Sequence, residues 1–325
     1  MRRRDFLRHA ALTAPIFAGG CIGFTRSSEA PIDMLRPGKW TAHRPMPDGR
    51  QEVAVVTFGD RIVVIGGFGE LGAAVATVEA YHPPTDAWEG LVPLPAPVHH
   101  PAAAVLDGRL FALGGYGDRL PPWRVLRTVY EYDPPRLSWA TRAPLNIARG
   151  GLAAAVVGNR IHAVGGADGS ALDVHEAYDP VTDRWTRLAP LPIARDHLAA
   201  VSFQGRLWAI GGRSSFAGTQ YPNVDIYDPA TDRWEAGPSL PQGRGGLAAV
   251  ALENSIFVFG GEAPFRIFDA TEMYEVAGRR WIAKEPMPTP RHGIGAAWLD
   301  GRIWIPGGAT SPGLARTAAN EAYQP

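Results

Sequence analysis

Short apolar runs broken by tight turns fill the chain from about residue 38 onward. One stretch shows the pattern. Gly151-Leu152-Ala153-Ala154-Ala155-Val156-Val157 is followed by a polar turn, Gly158-Asn159-Arg160, and then by Ile161-His162-Ala163-Val164-Gly165-Gly166. Val174-His175-Glu176-Ala177-Tyr178 comes next, then Asp179-Pro180-Val181-Thr182-Asp183, then Arg184-Trp185-Thr186-Arg187-Leu188. Runs this short, rich in β-branched and aromatic residues and bounded by Gly, Asp and Pro, predict four successive antiparallel strands. The first run of each unit is rich in alanine, as at Ala102-Ala103-Ala104, Ala199-Ala200, Ala248-Ala249 and Ala296-Ala297.

The four-strand pattern recurs six times in a fixed register. Trp40, Trp88, Trp139, Trp185, Trp234 and Trp281 each precede, by 26 residues, the first glycine of a Gly-Gly pair. The pairs begin at Gly66, Gly114, Gly165, Gly211, Gly260 and Gly307, and each is followed by a tyrosine: Tyr81, Tyr132, Tyr178, Tyr227, Tyr274 and Tyr323. The next Trp follows seven residues after each of the first five tyrosines. After Tyr323 only two residues remain, so the missing Trp has to come from Trp40. A period of this size with four strands per unit predicts an all-β ring of six sheets, with small side chains where the sheets converge. The Trp and Tyr positions are expected to pack sheet against sheet, and the Gly-Gly pair to end the second strand where another backbone comes close.

These elements resemble the kelch repeat, in which Gly-Gly precedes a tyrosine in a Tyr-Asp-Pro turn and then a tryptophan. Tyr132-Asp133-Pro134, Tyr178-Asp179-Pro180 and Tyr227-Asp228-Pro229 match fully, while Tyr81-His82-Pro83 and Tyr274-Glu275-Val276 depart from the pattern. The resemblance implies a six-bladed kelch-type β-propeller over residues 38–325. Its last blade would be closed by the strand around Trp40, leaving no free sheet edge.

The segment before it reads as an export signal. Arg3-Arg4-Asp5-Phe6-Leu7-Arg8 resembles the twin-arginine motif and is followed by a short apolar stretch, giving a signal segment at 1–20 and a linker at 21–37. This predicts passage to the periplasm or cell envelope. Cys21, the one cysteine, stands where a bacterial lipoprotein carries its acylated residue, and Ser28-Glu29-Ala30 offers a competing cleavage site. In either case residues 22–325 contain no thiol for a disulfide, a thiolate metal site or a Cys nucleophile. The copper-radical site of galactose oxidase, which needs a Tyr–Cys crosslink, is thereby excluded.

The formal net charge is zero, and without residues 1–20 the chain carries 28 basic and 31 acidic side chains. That balance does not favour nucleic acid. Contact with a membrane is expected only through a lipid on Cys21, and the chain is expected to be a monomer.

Between the second glycine and the tyrosine the spacing varies, at 14, 17, 12, 15, 13 and 15 residues. All the elasticity of the repeat lies in this link, so it marks loops on one face, the expected binding face. Trp123, Phe216, Tyr221 and Phe265 lie in these loops, where they suit stacking on a sugar or packing on a peptide. Ten residues after each Trp stand Arg50, Val98, Arg149, Arg195, Arg244 and Arg291, with His99 beside the gap. Two readings are open for these arginines. They are either scaffold groups bonding neighbouring carbonyls and carboxylates, or a ring of guanidinium groups that takes an anion, as in kelch domains that bind acidic peptides.

The histidines are scattered over different repeats, without metal-binding spacing, and His99-His100 is read as a polar loop. No metal and no cofactor are expected. The sequence therefore favours a non-enzymatic binding or scaffold module for a protein, peptide or glycan. The alternative is a carbohydrate-active enzyme, such as a sialic-acid mutarotase of the kelch type, using Arg149, Arg195 and Arg244 with Glu262 or His197.

Overall fold

The computed structural model describes residues 37–325; the export segment, the linker up to residue 36 and Cys21 lie outside the described residues. Six four-stranded antiparallel sheets follow one another along the chain. In the third, the strands run Ala153–Val157, Arg160–Val164, His175–Asp179 and Arg184–Arg187 in simple meander order. The sixth comprises Ala297–Leu299, Arg302–Pro306 and Asn320–Gln324, and its outermost strand is Lys39–Ala42 from the other end of the described chain. Trp40 stands opposite Tyr323 in that register, so the ring closes as the repeat requires. Among the described residues no helix is long and apolar enough to cross a membrane.

The innermost strands surround an axial channel of about 430 Å³, lined by Val56, Ala103, Ala154, Ala200, Ala249 and Ala296 among others. Alanine is frequent there because six strands converge and larger side chains would collide. Neighbouring blades share apolar seams. In one, Ala199, Val201, Ile210 and Ile226 of the fourth blade pack on Ile256, Val258 and Tyr274 of the fifth.

The repeated aromatics hold blade to blade. Each Trp ring lies 5.1–5.5 Å from the Tyr opposite it in its own sheet. Each indole also donates a hydrogen bond to a carbonyl of the preceding blade: Trp88 to Arg44, Trp139 to Val92, Trp185 to Ala143, Trp234 to Ala189, Trp281 to Pro238 and Trp40 to Glu285. Tyr81, Tyr178 and Tyr227 donate to Asp86, Asp183 and Asp232. Those carboxylates in turn accept the backbone N–H of Arg44, Ala143 and Ala189 across the seam. One aromatic pair per blade thus fills the seam and also satisfies its polar groups.

Candidate functional site

The link between blades begins at the arginine position, where each residue does two structural jobs. Its carbonyl accepts the N–H of the second glycine of the preceding Gly-Gly pair, as Arg149 does from Gly115, Arg195 from Gly166 and Arg50 from Gly308. The approach is so close that a Cβ on the first glycine of the pair would fall 2.6 Å from the Arg149 oxygen at Gly114 and 2.6 Å from the Arg195 oxygen at Gly165. The side chain turns into its own blade and pairs with a carboxylate on the third strand. These pairs are Arg50–Glu79, Arg149–Glu176, Arg195–Asp225, Arg244–Glu272 and Arg291–Glu321. Further bonds reach backbone carbonyls such as Gly66, Ala163, Ala209, Gly260 and Ile305. None of the five arginines is more than 1% exposed. Burial lowers the pKa of Arg291 to about 10, so the guanidinium still stays charged near neutral pH.

The expectation of guanidinium groups ringing a channel mouth is corrected on this point. Arg50, Arg149, Arg195, Arg244 and Arg291 lie inside the blades, with their donors directed at scaffold acceptors. Blade two, which has Val98 at this position, also lacks the acid. Tyr130 stands two residues before Tyr132, where the other blades carry Glu or Asp, and it packs in the same apolar cluster as Val98. The neighbouring Glu131 turns instead to Arg109 and Arg142, at 2.6 and 2.5 Å.

Two residues further along each link, the chain reaches the axis. Glu52, His100, Gly151, His197, Gly246 and Gly293 occupy this position in the six blades, all with φ between +51° and +64°. Each donates its N–H to the carbonyl of the residue one blade earlier, from His100 to Glu52 round to Glu52 to Gly293, at 2.8–3.0 Å. Six backbone hydrogen bonds form a closed circle around the axis. Because the backbone makes the circle, the side chains at its six positions are not needed for it. Three are glycine, and the room they leave is used: a Cβ on Gly293 would lie 2.8 Å from Glu52 Oε1, and one on Gly151 3.1 Å from His197 Nδ1.

A second tier lies around this circle. It pairs the residue after each arginine position with the residue after each Gly-Gly. The pairs are Gln51 with Phe68, His99 with Tyr116, Gly150 with Ala167, Asp196 with Arg213, Gly245 with Glu262 and His292 with Ala309. The frame is constant and its occupants are not, which is the property expected of a site built on a repeated scaffold.

Together the two tiers bring ionisable groups from five blades onto the axis. Glu52 Oε2 lies 3.3 Å from His100 Nε2 and 3.8 Å from His197 Nε2. His197 Nδ1 is 2.7 Å from Asp196, and Arg213 bridges Asp196 and Glu262. His292 Nδ1 lies 3.4 Å from Glu262 and 3.8 Å from Glu52. Burial, reinforced by the His197 ring, holds the His100 imidazole well below its ordinary pKa; burial and then His100 do the same for His99. Three carboxylates here face one guanidinium.

The repeats themselves identify the chain. A family model described as Kelch motif matches residues 49–95, 97–146, 148–192 and 194–241, more than half of the sequence. This chain belongs to the kelch-motif family. It is 37% identical over 138 residues to beta-scruin of Limulus polyphemus, covering 41% of this chain and 15% of that protein. To kelch-like protein 36 of Bos taurus it is 29% identical over 174 residues, 52% of this chain and 28% of that one. The chain therefore spans less than a third of the curated relatives' length. The solved structure of YjhT superposes with a TM-score of 0.73 at 16% identity, over 86% of this chain and 96% of that one, a likeness of fold.

The remaining predicted residues of this kelch propeller fall into two groups. His99 and Trp123 belong to a packed aromatic stack: His99 lies 3.9 Å from Phe68 and 5.2 Å from Tyr116, ring centre to ring centre, and Trp123 lies 4.8 Å from His99. Glu262 is buried in the axial cluster, bonded to Arg213. Phe216 remains exposed on the loop face, with the Arg213 guanidinium 5.6 Å from its ring. Tyr221, half-buried, donates its backbone N–H to Gly212. Sequence reasoning missed Glu52, His100, Asp196 and Arg213 as a cluster, because no short-range spacing joins them. The usable signal was positional: twelve residues after each Trp, three repeats carry glycine and three carry Glu or His.

Proposed function

We propose that this protein is a non-enzymatic binding module that receives a protein or peptide segment on its loop face. The observation that carries the reading is the state of Leu71 and Phe265. Both stand on loops between second and third strands, with φ of +54° and +63°, and both are at least 90% exposed. Large apolar residues in left-handed conformation are strained, and full exposure returns nothing to folding. Leu120, Phe216 and Leu314 are exposed on the corresponding loops of three other blades. Apolar groups spread round a polar floor suit a partner's apolar side chains at the rim.

An anion is not favoured by this floor, with its three carboxylates against one guanidinium. The sugar-acting alternative relied on Arg149, Arg195 and Arg244, which are buried and paired, so support moves to binding. The twin-arginine motif supports a place in the periplasm or cell envelope, with the mature chain either anchored by a lipid on Cys21 or released by cleavage after Ala30.

The test uses the full chain, immobilised against an envelope extract, with the captured partner identified by mass spectrometry and its affinity then measured with purified components. A Leu71→Ser, Phe265→Ser double variant should bind that partner roughly tenfold more weakly with an unchanged melting temperature. Undiminished affinity in the double variant would sink the loop-face reading.

A further inference from the structure

The axial cluster has a property that partner binding does not call for. We propose that Glu52, His100 and His197 form a binding site for one divalent transition-metal ion on the propeller axis. One oxygen and two nitrogens from these residues lie within 4.8 Å of one another. A tetrahedral ion with bonds of about 2.1 Å would separate its ligand atoms by about 3.4 Å. The Glu52–His100 and Glu52–His197 separations, 3.3 and 3.8 Å, bracket that value.

Two buried nitrogens without partners point the same way. His197 Nδ1 is held 2.7 Å from the Asp196 carboxylate, which fixes the orientation of the ring. Its Nε2 points away from that contact, toward Glu52. That atom is buried, has no hydrogen-bond partner, and faces the Glu52 carboxylate at 3.8 Å. The whole His197 side chain is only 9% exposed. A cation seated between that nitrogen and the carboxylate oxygen would give both a partner. His292 repeats the arrangement: Nε2 lies 3.3 Å from the Ser311 carbonyl, while the buried, unpartnered Nδ1 faces Glu52 and Glu262. The Asp196–His197 pair is also the outer-shell contact that orients a metal-bound imidazole and raises its basicity.

Two imidazoles and a carboxylate, with no thiolate, suit borderline ions such as Zn²⁺ or Co²⁺ and not Mg²⁺ or Ca²⁺, which prefer all-oxygen sites. Glu52, Asp196 and Glu262 set three carboxylates against the one guanidinium of Arg213, a net charge that balances a divalent cation. Three protein ligands leave a coordination position for water or for a donor from a partner. The proposal is independent of what occupies the rim, because none of its ligands is a rim residue.

The fold supplies a safe variant. Three of the six positions on the axial circle are already glycine with the same backbone conformation, so His197→Gly removes a ligand and keeps the circle. Glu52→Gln removes the charge at nearly constant volume. The untagged full chain, stripped with chelator and dialysed, is titrated with Co²⁺ and then with Zn²⁺ at pH 7.5. The expected result is one equivalent bound, visible Co²⁺ bands of a four- or five-coordinate site that Zn²⁺ bleaches, and no effect of excess Mg²⁺. His197→Gly and Glu52→Gln should each bind at least about 100-fold more weakly, while their melting temperatures in chelator stay close to that of the parent. Absence of saturable one-to-one binding would overturn the proposal, and so would parental affinity in either variant.

Discussion

Arg244 and its four companions illustrate how one residue type can look functional in sequence and be structural in space. Recurrence in five of six repeats fits either role, but complete burial against a third-strand carboxylate fits only the second. Blade two is the internal control, since Val98 and Tyr130 replace arginine and acid together. The pair is therefore exchangeable as a unit and costly to split. Arg244→Met, which strands Glu272 without a partner, should cost about 3–5 kcal/mol in urea unfolding. Arg244→Val with Glu272→Tyr, copying blade two, should cost less than that single change, because no buried charge is left unpaired. A double variant less stable than Arg244→Met would refute the equivalence.

At the scale of elements, the Gly-Gly pair is the point where one blade's second strand meets the next blade's link. Gly165 and Gly158 share nearly the same φ, +64° and +61°, yet sit in different surroundings. A Cβ at Gly165 meets the Arg195 carbonyl at 2.6 Å, whereas at Gly158 it meets nothing within 4 Å. Gly158→Ala should therefore cost only the left-handed penalty, roughly 1–2 kcal/mol. Gly165→Ala adds a backbone collision worth about 1–3 kcal/mol more. Comparison of the two urea midpoints separates conformational cost from close approach, and equal midpoints would show that the collision is relieved.

For the molecule as a whole, buried neutral histidines set a pH dependence. His162 and His175 lie on adjacent strands of blade three, Nδ1 of the first 2.9 Å from Nε2 of the second, and His175 Nδ1 faces the Ala189 carbonyl at 3.1 Å. Burial lowers His162 to about 4 and His175 to about 3, from an ordinary value of 6.5. Below pH 6.5 the unfolded chain takes up protons that the folded chain refuses. Stability is thus fully present above that pH and falls as the pH drops toward 4 and 3. At pH 5 each histidine should cost about 2 kcal/mol relative to pH 7. The His162→Leu, His175→Phe variant should flatten the fall in melting temperature between pH 7 and 5; an unaltered slope would place the proton uptake elsewhere.

The sequence by itself determined the propeller, its six blades, its closure through Trp40 and the face that carries variable loops. Those properties follow from local periodicity and from spacings that repeat, and a repeat is legible wherever it recurs. The Arg–carboxylate pairing was also written there, in the joint loss at Val98 and Tyr130, though only contact distances show which acid each arginine meets. The axial cluster was decided by tertiary structure alone. Glu52, His100 and His197 are 48 and 97 residues apart, and they meet only because the ring brings the same position of every blade to one axis.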